Sequence, residues 1–299
     1  MAGAAKGRPS VADALREATA LLTEAGVPSP RPDALALLAH VWGVAHVTVR
    51  TAAARGDILP ETVDLPAFSS VLARRSAREP LQHITGRAAF RGIELEVGPG
   101  VFVPRPETES VAGAAIDAAH ALGLTAPIIV DLCSGSGAIA LAVAIELPDA
   151  TVCAVELSTD ALVYLRRNVA ALPEDVRQRI DVTQGDARTA LGNLDGAVDI
   201  VVSNPPYIPP GATPRDPEVA LYDPELALYG LGADGLEVPR GIASAAHRLL
   251  KPGGVFVMEH GDEQGAAVRG LLADHTVWAD VSTGIDLTGR DRFVVASRL

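Results

Sequence analysis

The sequence predicts an α/β fold: a mainly parallel, doubly wound sheet preceded by a small helical domain. Three observations carry this. From Pro127 onward, apolar runs of strand length alternate with longer runs at helical spacing, the pattern of strand–helix–strand units with right-handed crossovers. Residues 10–83 show helical spacing and no strand-like run. The length of 299 residues suits about two domains at roughly 150 residues each.

In chain order, Ser10 and Asp13 stand before Ala14, Leu15, Ala18, Leu21 and Leu22 at helical spacing, and Gly26 ends that run. Pro30 to Pro32 reads as a break. A second helix then runs from Asp33 through Leu35, Leu37, Leu38 and Val41 to Gly43, and Pro66 opens a third through Phe68, Val71 and Leu72. Phe90, Ile93, Leu95 and Val97 are spaced as a strand pair turning at Arg91-Gly92. The prolines of Val103-Pro104-Arg105-Pro106 make a rigid linker, and a helix follows from Glu107 to about Leu122. Strands are expected at 128–132, 151–156, 180–184, 198–203 and 255–259, with two more near 277–281 and 292–297. The helices between them fall at 136–147, 158–172 and 237–250. The domains expected are 1–83 (helical), 84–106 (strand pair and linker) and 107–299 (catalytic).

Composition excludes several classes. An apolar share of 48% supports a sizeable buried core rather than disorder. The longest apolar run, Ala138 to Ile145, stops at Glu146, well short of the ~18 residues of a membrane helix. The N-terminal MAGAAKGRPS has no apolar targeting core. Two cysteines, Cys133 and Cys153, disfavour a disulfide framework or a cysteine zinc site, and both are expected to be buried and inert. Residues 1–110 hold 12 basic and 12 acidic residues, so the whole net charge of −12 lies on 111–299. An acidic second half repels a polyphosphate and counts against DNA as partner. The expectation is a soluble, cytoplasmic, monomeric enzyme with no metal.

Four motifs carry chemistry, each at a strand's carboxyl end, where doubly wound sheets bind their ligands. Asp131-Leu132-Cys133-Ser134-Gly135-Ser136-Gly137 joins a strand to a helix. Its glycines let backbone approach a ligand, and the helix start offers unpaired N–H groups. The spacing is not that of a dinucleotide fingerprint. Glu156 ends the next strand, where an acid accepts from a ribose diol. Asp186 and Ala187 follow the third strand; an acid there can accept from an exocyclic amine, though a turn or cap Asp fits equally well. Asn204-Pro205-Pro206-Tyr207 follows the fourth. Its prolines fix φ and remove two donors, leaving carbonyls, an Asn acceptor and a Tyr face suited to holding an –NH2 group.

These residues, in this order, resemble a class I S-adenosylmethionine-dependent methyltransferase, with its Rossmann-like, mainly parallel seven-stranded sheet. Asn-Pro-Pro-Tyr marks the members that act on planar amino groups. Pro80-Leu81-Gln82-His83-Ile84-Thr85-Gly86, Phe90 and Val103-Pro104-Arg105-Pro106-Glu107-Thr108-Glu109 narrow this to the HemK/PrmC family. So do Asp223-Pro224-Glu225, Gly232-Ala233-Asp234-Gly235-Leu236, Leu250-Lys251-Pro252-Gly253-Gly254 and Glu259-His260-Gly261 with Gln264-Gly265. The resemblance spans residues 10–298. One departure from the wider class is Cys133, which stands where many methyltransferases carry the first glycine of the loop.

The resemblance implies methylation of the glutamine in the Gly-Gly-Gln motif of class 1 peptide chain release factors, giving N5-methylglutamine and S-adenosyl-L-homocysteine. It implies cofactor contacts from Asp131, Cys133, Ser134, Gly135, Ser136, Gly137, Glu156, Asp186, Ala187 and Asn204. Asn204 Oδ1 and the Pro205 carbonyl then accept the two amide N–H bonds, Pro206 fixes the loop and Tyr207 walls the pocket. A DNA adenine N6-methyltransferase uses the same residues on a flipped base but needs a basic groove. A release-factor-binding module without catalysis would not need Glu156 and Asn204–Tyr207 intact. His83 and His260 read as structural. Arg74, Arg75, Arg78, Arg87 and Arg91 form a basic cluster, open between a solvated face and a contact with the protein substrate.

Overall fold

A computed structural model describes residues 7–299; the preceding MAGAAK, part of the stretch without a targeting core, lies outside the described residues. The chain divides into two compact units. The first comprises the residues up to Gly86 together with Arg215–Tyr222. It opens with α1 (Val11–Glu24), α2 (Pro30–Trp42), α3 (His46–Arg55), α4 (Leu65–Ser76) and α5 (Leu81–Thr85). Ser10 caps α1 by accepting the Asp13 N–H at 3.1 Å. Pro30 and Pro32 do not break the chain. They lie in the first turn of α2, where a missing N–H leaves no helical bond unmade. Five helices form where spacing predicted three, because α3 is half-exposed and α5 is a single turn. Leu22, Leu37, Leu38, Val49, Phe68 and Leu72 fill the unit's core.

The second unit continues with β1 (Arg87–Phe90), β2 (Ile93–Glu96), α6 (Thr108–Ala121), β3 (Ile128–Leu132), α7 (Ala138–Glu146) and β4 (Thr151–Glu156). Then come α8 (Thr159–Ala170), α9 (Glu174–Arg177), β5 (Ile180–Gln184) and β6 (Val198–Ser203). The chain continues through α10 (Pro217–Tyr222), which belongs to the first unit, to α11 (Glu225–Leu228) and α12 (Glu237–Leu249). It ends with β7 (Leu250–Glu259), α13 (Gly265–Leu271), β8 (Trp278–Ile285) and β9 (Asp291–Arg298). The β1–β2 hairpin turns at Arg91 and Gly92, with φ of 42° and 78°, a pair of positive values that fits tight hairpin twist.

The remaining seven strands form one sheet in the order β5-β4-β3-β6-β7-β9-β8, and only β9 runs against its neighbours. This is the mainly parallel seven-stranded sheet expected. β3, β4 and β6 read as continuous apolar runs because both faces are covered. One face packs Ile129, Val152, Ile200 and Val257 against α6, α7 and α8; the other packs Val130, Val155, Val201 and Phe256 against α12. The order reverses between β3 and β6, with Leu132 opposite Ser203, so the loops after these two strands leave the sheet side by side. No single helix among the described residues is long and apolar enough to cross a membrane.

The first unit is completed by α10. Arg75, 5% exposed, donates to Asp33 at 2.8 Å and to Glu218 at 2.9 Å. Arg78 forks onto the same Glu218 at 2.8 and 2.6 Å, and the Tyr222 hydroxyl donates to the Ala77 carbonyl at 3.1 Å. The whole basic cluster is paired within its own units: Arg74 with Glu79, Arg87 with Glu94 and Arg91 with Glu146.

Candidate active site

The loop after β3 is built on strained backbone. Cys133 takes φ +66°, the left-handed region that glycine adopts freely, and Gly135 and Gly137 follow at +57° and +91°. The glycine-type conformation is thus kept by a cysteine. A Cβ on Gly135 would meet nothing within 4 Å, so its backbone faces open space. A Cβ on Gly137 would lie 2.6 Å from Leu165 and 2.7 Å from Leu141, so this glycine lets α7 start close to α8. Ser134 and Ser136 are buried, and the Ser136 carbonyl accepts from Asn168, whose amide also clamps β2 through Glu96. Burial pushes the Cys133 thiol well above its ordinary range and Cys153 to about 11, so neither is poised as a thiolate.

Asp131 lies beneath this loop, 1% exposed, and its carboxylate accepts the Ala140 N–H at 3.1 Å. Burial raises it to about 7, against the Ser134 hydroxyl and that N–H. Glu156, at the carboxyl end of β4, accepts the Gly135 N–H on Oε2 and the Ser158 N–H on Oε1, each at 2.7 Å. Burial raises it too, while these N–H groups favour its ionised form. Each oxygen keeps a lone pair, so a fixed, partly desolvated carboxylate remains able to accept from two neighbouring hydroxyls. Asp186 accepts from the Arg188 guanidinium at 2.6–3.1 Å and from the Arg188 N–H at 2.9 Å. The Arg188 hydrogen bonds hold it below the usual carboxylate range. The Ala187 side chain is buried in the core.

Asn204-Pro205-Pro206-Tyr207 leaves β6 beside the β3 loop and is held from three sides. Ile208 donates to Leu228 and accepts from Gly230. Gln264 donates to the Tyr207 carbonyl at 2.9 Å and accepts the Gly261 N–H at 3.0 Å. The Gly230–Gly235 segment lies flat on the loop's backbone. A Cβ on Gly230 would lie 1.8 Å from Gly235 O and 2.7 Å from Pro206 O, and one on Gly235 would lie 2.5 Å from Tyr207 O. Only glycine fits either position.

Behind the loop lies a buried polar group. Asn204 Nδ2 donates to Thr108 Oγ1 at 3.3 Å, and Tyr207 Oη donates to Glu259 Oε1 at 3.4 Å. Glu259 is 3% exposed and Thr108 equally so. Burial pushes Glu259 to about 7, against the Thr108 hydroxyl, the Arg292 charge and Tyr207. Burial and the Glu259 charge push the Tyr207 phenol far up, so it stays protonated. Thr108 and Glu259 lie in the 103–109 and 259–265 motifs, but only folding brings them together. His260 is fully buried with Nδ1 2.8 Å from Gly261 O, and desolvation lowers it.

The cofactor implied by the fold suits this donor set: bared backbone at Gly135, a fixed carboxylate at Glu156 and the Asn204 loop at the adjacent strand end. Comparison with known proteins agrees. The PrmC N-terminal domain matches residues 13–86 and the methyltransferase small domain residues 116–216. The chain is similar to the release factor glutamine methyltransferase of Streptomyces coelicolor, 53% identical over 285 residues, covering 94% of this chain and 96% of that protein. The enzyme of the same name from Bifidobacterium longum is 45% identical, with 96% and 99% covered. A 4-amino-L-phenylalanine/4-methylamino-L-phenylalanine methyltransferase of Streptomyces pristinaespiralis is 42% identical, with 92% and 91% covered.

Proposed function

We infer that this chain, which belongs to the release factor glutamine methyltransferase family, is an enzyme that transfers a methyl group from S-adenosyl-L-methionine to a release-factor glutamine. The acceptor is the side-chain amide nitrogen, in the Gly-Gly-Gln motif of class 1 release factors, and the second product is S-adenosyl-L-homocysteine. The observation that carries the reading is the placement of Asn204-Pro-Pro-Tyr at the switch point, beside the loop Asp131–Gly137. The acidic second half gives no support to a DNA substrate.

When bound, the cofactor supplies an electrophilic methyl group on a sulfonium sulfur. The chain's part is positional. An amide nitrogen is a weak nucleophile, its lone pair being shared with the carbonyl. Asn204 Oδ1 and the Pro205 carbonyl accept the two amide N–H bonds, which orients the nitrogen and favours charge developing on it. Such positioning supplies several kcal/mol, up to ~7–11 in well-oriented systems. Pro206 stiffens the loop and Tyr207 walls it. Glu156 would hold the ribose hydroxyls, the Cys133–Gly137 backbone would lie along the cofactor, and Asp186 with the Ala187 backbone would serve its adenine.

The test is mass spectrometry of a release factor incubated with the enzyme and S-adenosyl-L-methionine, with 4-amino-L-phenylalanine as a parallel acceptor. A gain of one methyl on the glutamine is expected. Methylation of the aromatic amine with none on the release factor would overturn the reading. Asn204→Ala is expected to lower kcat by about 10²–10³, the scale for losing one preorganised hydrogen bond, with cofactor affinity changed far less. Near-normal turnover in that variant would refute the amide clamp.

A further inference from the structure

We propose that Gln264 is a positioning residue for methyl transfer: its side-chain amide holds the Asn204-Pro-Pro-Tyr loop in place through the Tyr207 carbonyl. This rests on the amide-clamp reading above. Pro205 and Pro206 have no N–H, so at those positions the loop cannot be pinned by donors of its own. A tie must come through carbonyls. In the clamp reading the Pro205 carbonyl is kept for the substrate, and the Tyr207 carbonyl is the one that Gln264 takes.

Three backbone groups meet the Gln264 amide. Oε1 accepts the Gly261 N–H at 3.0 Å. Nε2 donates to the Tyr207 carbonyl at 2.9 Å and, at 3.5 Å, to the Asp234 carbonyl. A backbone N–H only donates and a carbonyl only accepts. A flipped amide would set Nε2 against the Gly261 N–H and Oε1 against two carbonyls, losing all three bonds. The amide therefore has one orientation, fixed by groups whose polarity cannot change. Its base is equally fixed. The Gln264 N–H donates to the Gly261 carbonyl at 2.9 Å, and the Gln264 carbonyl accepts the N–H of fully buried Val268 at 2.9 Å, at the start of α13. Asp234 belongs to the glycine segment whose Gly235 lies against the same Tyr207 carbonyl. One side chain thus ties together the turn after β7, the glycine segment and the clamp loop. The pull reaches the clamp because the two prolines have fixed φ, so the chain between Tyr207 and Pro205 is stiff. A Tyr207 carbonyl that shifts takes the Pro205 carbonyl with it.

The experiment compares Gln264→Glu and Gln264→Met with the unaltered chain. Glutamate keeps the shape and the acceptor for Gly261, but sets a carboxylate oxygen against the Tyr207 carbonyl. Methionine keeps the length and removes both polar ends without adding charge, so it carries the test if the acid variant does not fold. Each variant is first checked for folding by circular dichroism and for S-adenosyl-L-methionine binding by calorimetry. Release-factor methylation then gives kcat and KM. Both variants are expected to lower kcat about 10- to 100-fold, the scale of a small misplacement of a reacting group. KM and cofactor affinity should stay within about 3-fold, because a residue that acts only on the placement of the reacting nitrogen lowers kcat and kcat/KM together. Wild-type kcat in a folded Gln264→Met protein overturns the proposal even where Gln264→Glu is slow, since the loss would then come from the added charge. A raised KM with kcat kept also overturns it, by placing Gln264 in substrate docking instead. So does a fall in cofactor affinity large enough to account for the rate. An unaltered chain that puts no methyl on the glutamine overturns the functional reading itself, and the proposal with it.

Discussion

Glu156 carries two duties in one carboxylate. It pins the backbone at Gly135 and Ser158, and it presents the remaining lone pairs at the strand end. Glu156→Ala is therefore expected to weaken S-adenosyl-L-methionine binding by ~1.5–3 kcal/mol, the scale of charge-assisted hydrogen bonds, and to loosen the loop as well. Unchanged affinity by calorimetry would exclude the ribose role. Glu259 leads to a second expectation, through pH. Its folded-state pKa is raised from the ordinary carboxylate range to about 7, so the folded chain holds that proton more tightly than the unfolded one. Its contribution to stability is full below the ordinary carboxylate range and is lost as pH rises through about 7. Glu259→Gln should flatten the fall of the urea midpoint between pH 5 and 7; an equally steep fall in that variant would remove Glu259 as its source. At this scale the sequence was legible for position, placing Asp131, Glu156 and Asn204 at the carboxyl ends of strands. It was silent on Thr108 and Glu259, whose meeting depends on α6 and β7 lying together. It raised the question of a glycine's backbone at Cys133 without answering it, since that cost is set by the turn and not by the residue.

The Asn-Pro-Pro-Tyr loop has no regular structure of its own and takes its rigidity from the Gly230–Gly235 segment laid against it. Gly235→Ala would drive a Cβ to 2.5 Å from the Tyr207 carbonyl at a φ of +73°, so loop or segment must move. The expected result is a kcat fall of about 10²-fold with cofactor affinity nearly kept. Wild-type kcat in a folded Gly235→Ala protein would show that the loop tolerates displacement. The strands were readable because buried parallel strands are short continuous apolar runs. β7 begins five residues earlier than its apolar core suggests, at Leu250, because Pro252, Gly253 and Gly254 form an irregular stretch opposite Val198–Ile200 rather than a turn before the strand. The short helices α9, α11 and α13 escaped notice because one or two turns leave too few residues for periodicity to register.

At the scale of the molecule, a Gly-Gly-Gln tripeptide is too small to be read specifically by itself, since standard protein interfaces bury about 800 Å² per partner. The helical unit is the spare surface. A chain cut to 87–299 keeps every proposed cofactor and clamp residue, and it is expected to bind S-adenosyl-L-methionine but to methylate release factor with a much higher KM. Segment 215–222, deprived of its partners, should become sensitive to protease. Equal kcat/KM for the folded truncated chain would show that the helices do not read the substrate. The excursion of α10 into the first unit was not visible in the sequence, because Glu218 looks like any surface acid until Arg75 and Arg78 close on it. That pairing also bears on the order in which the protein is made. Arg75 and Glu218 are 143 positions apart, so at ~5–20 residues per second the ribosome needs roughly 7–30 s to deliver the acid after the arginine. During that interval Arg75 has the Asp33 carboxylate and the Glu79 carbonyl, but not Glu218, to answer its charge. The helical unit is thus the first to be synthesised and among the last to be finished, and the nascent chain passes through a stage in which its N-terminal helices wait on a piece of sequence from beyond the Asn-Pro-Pro-Tyr loop.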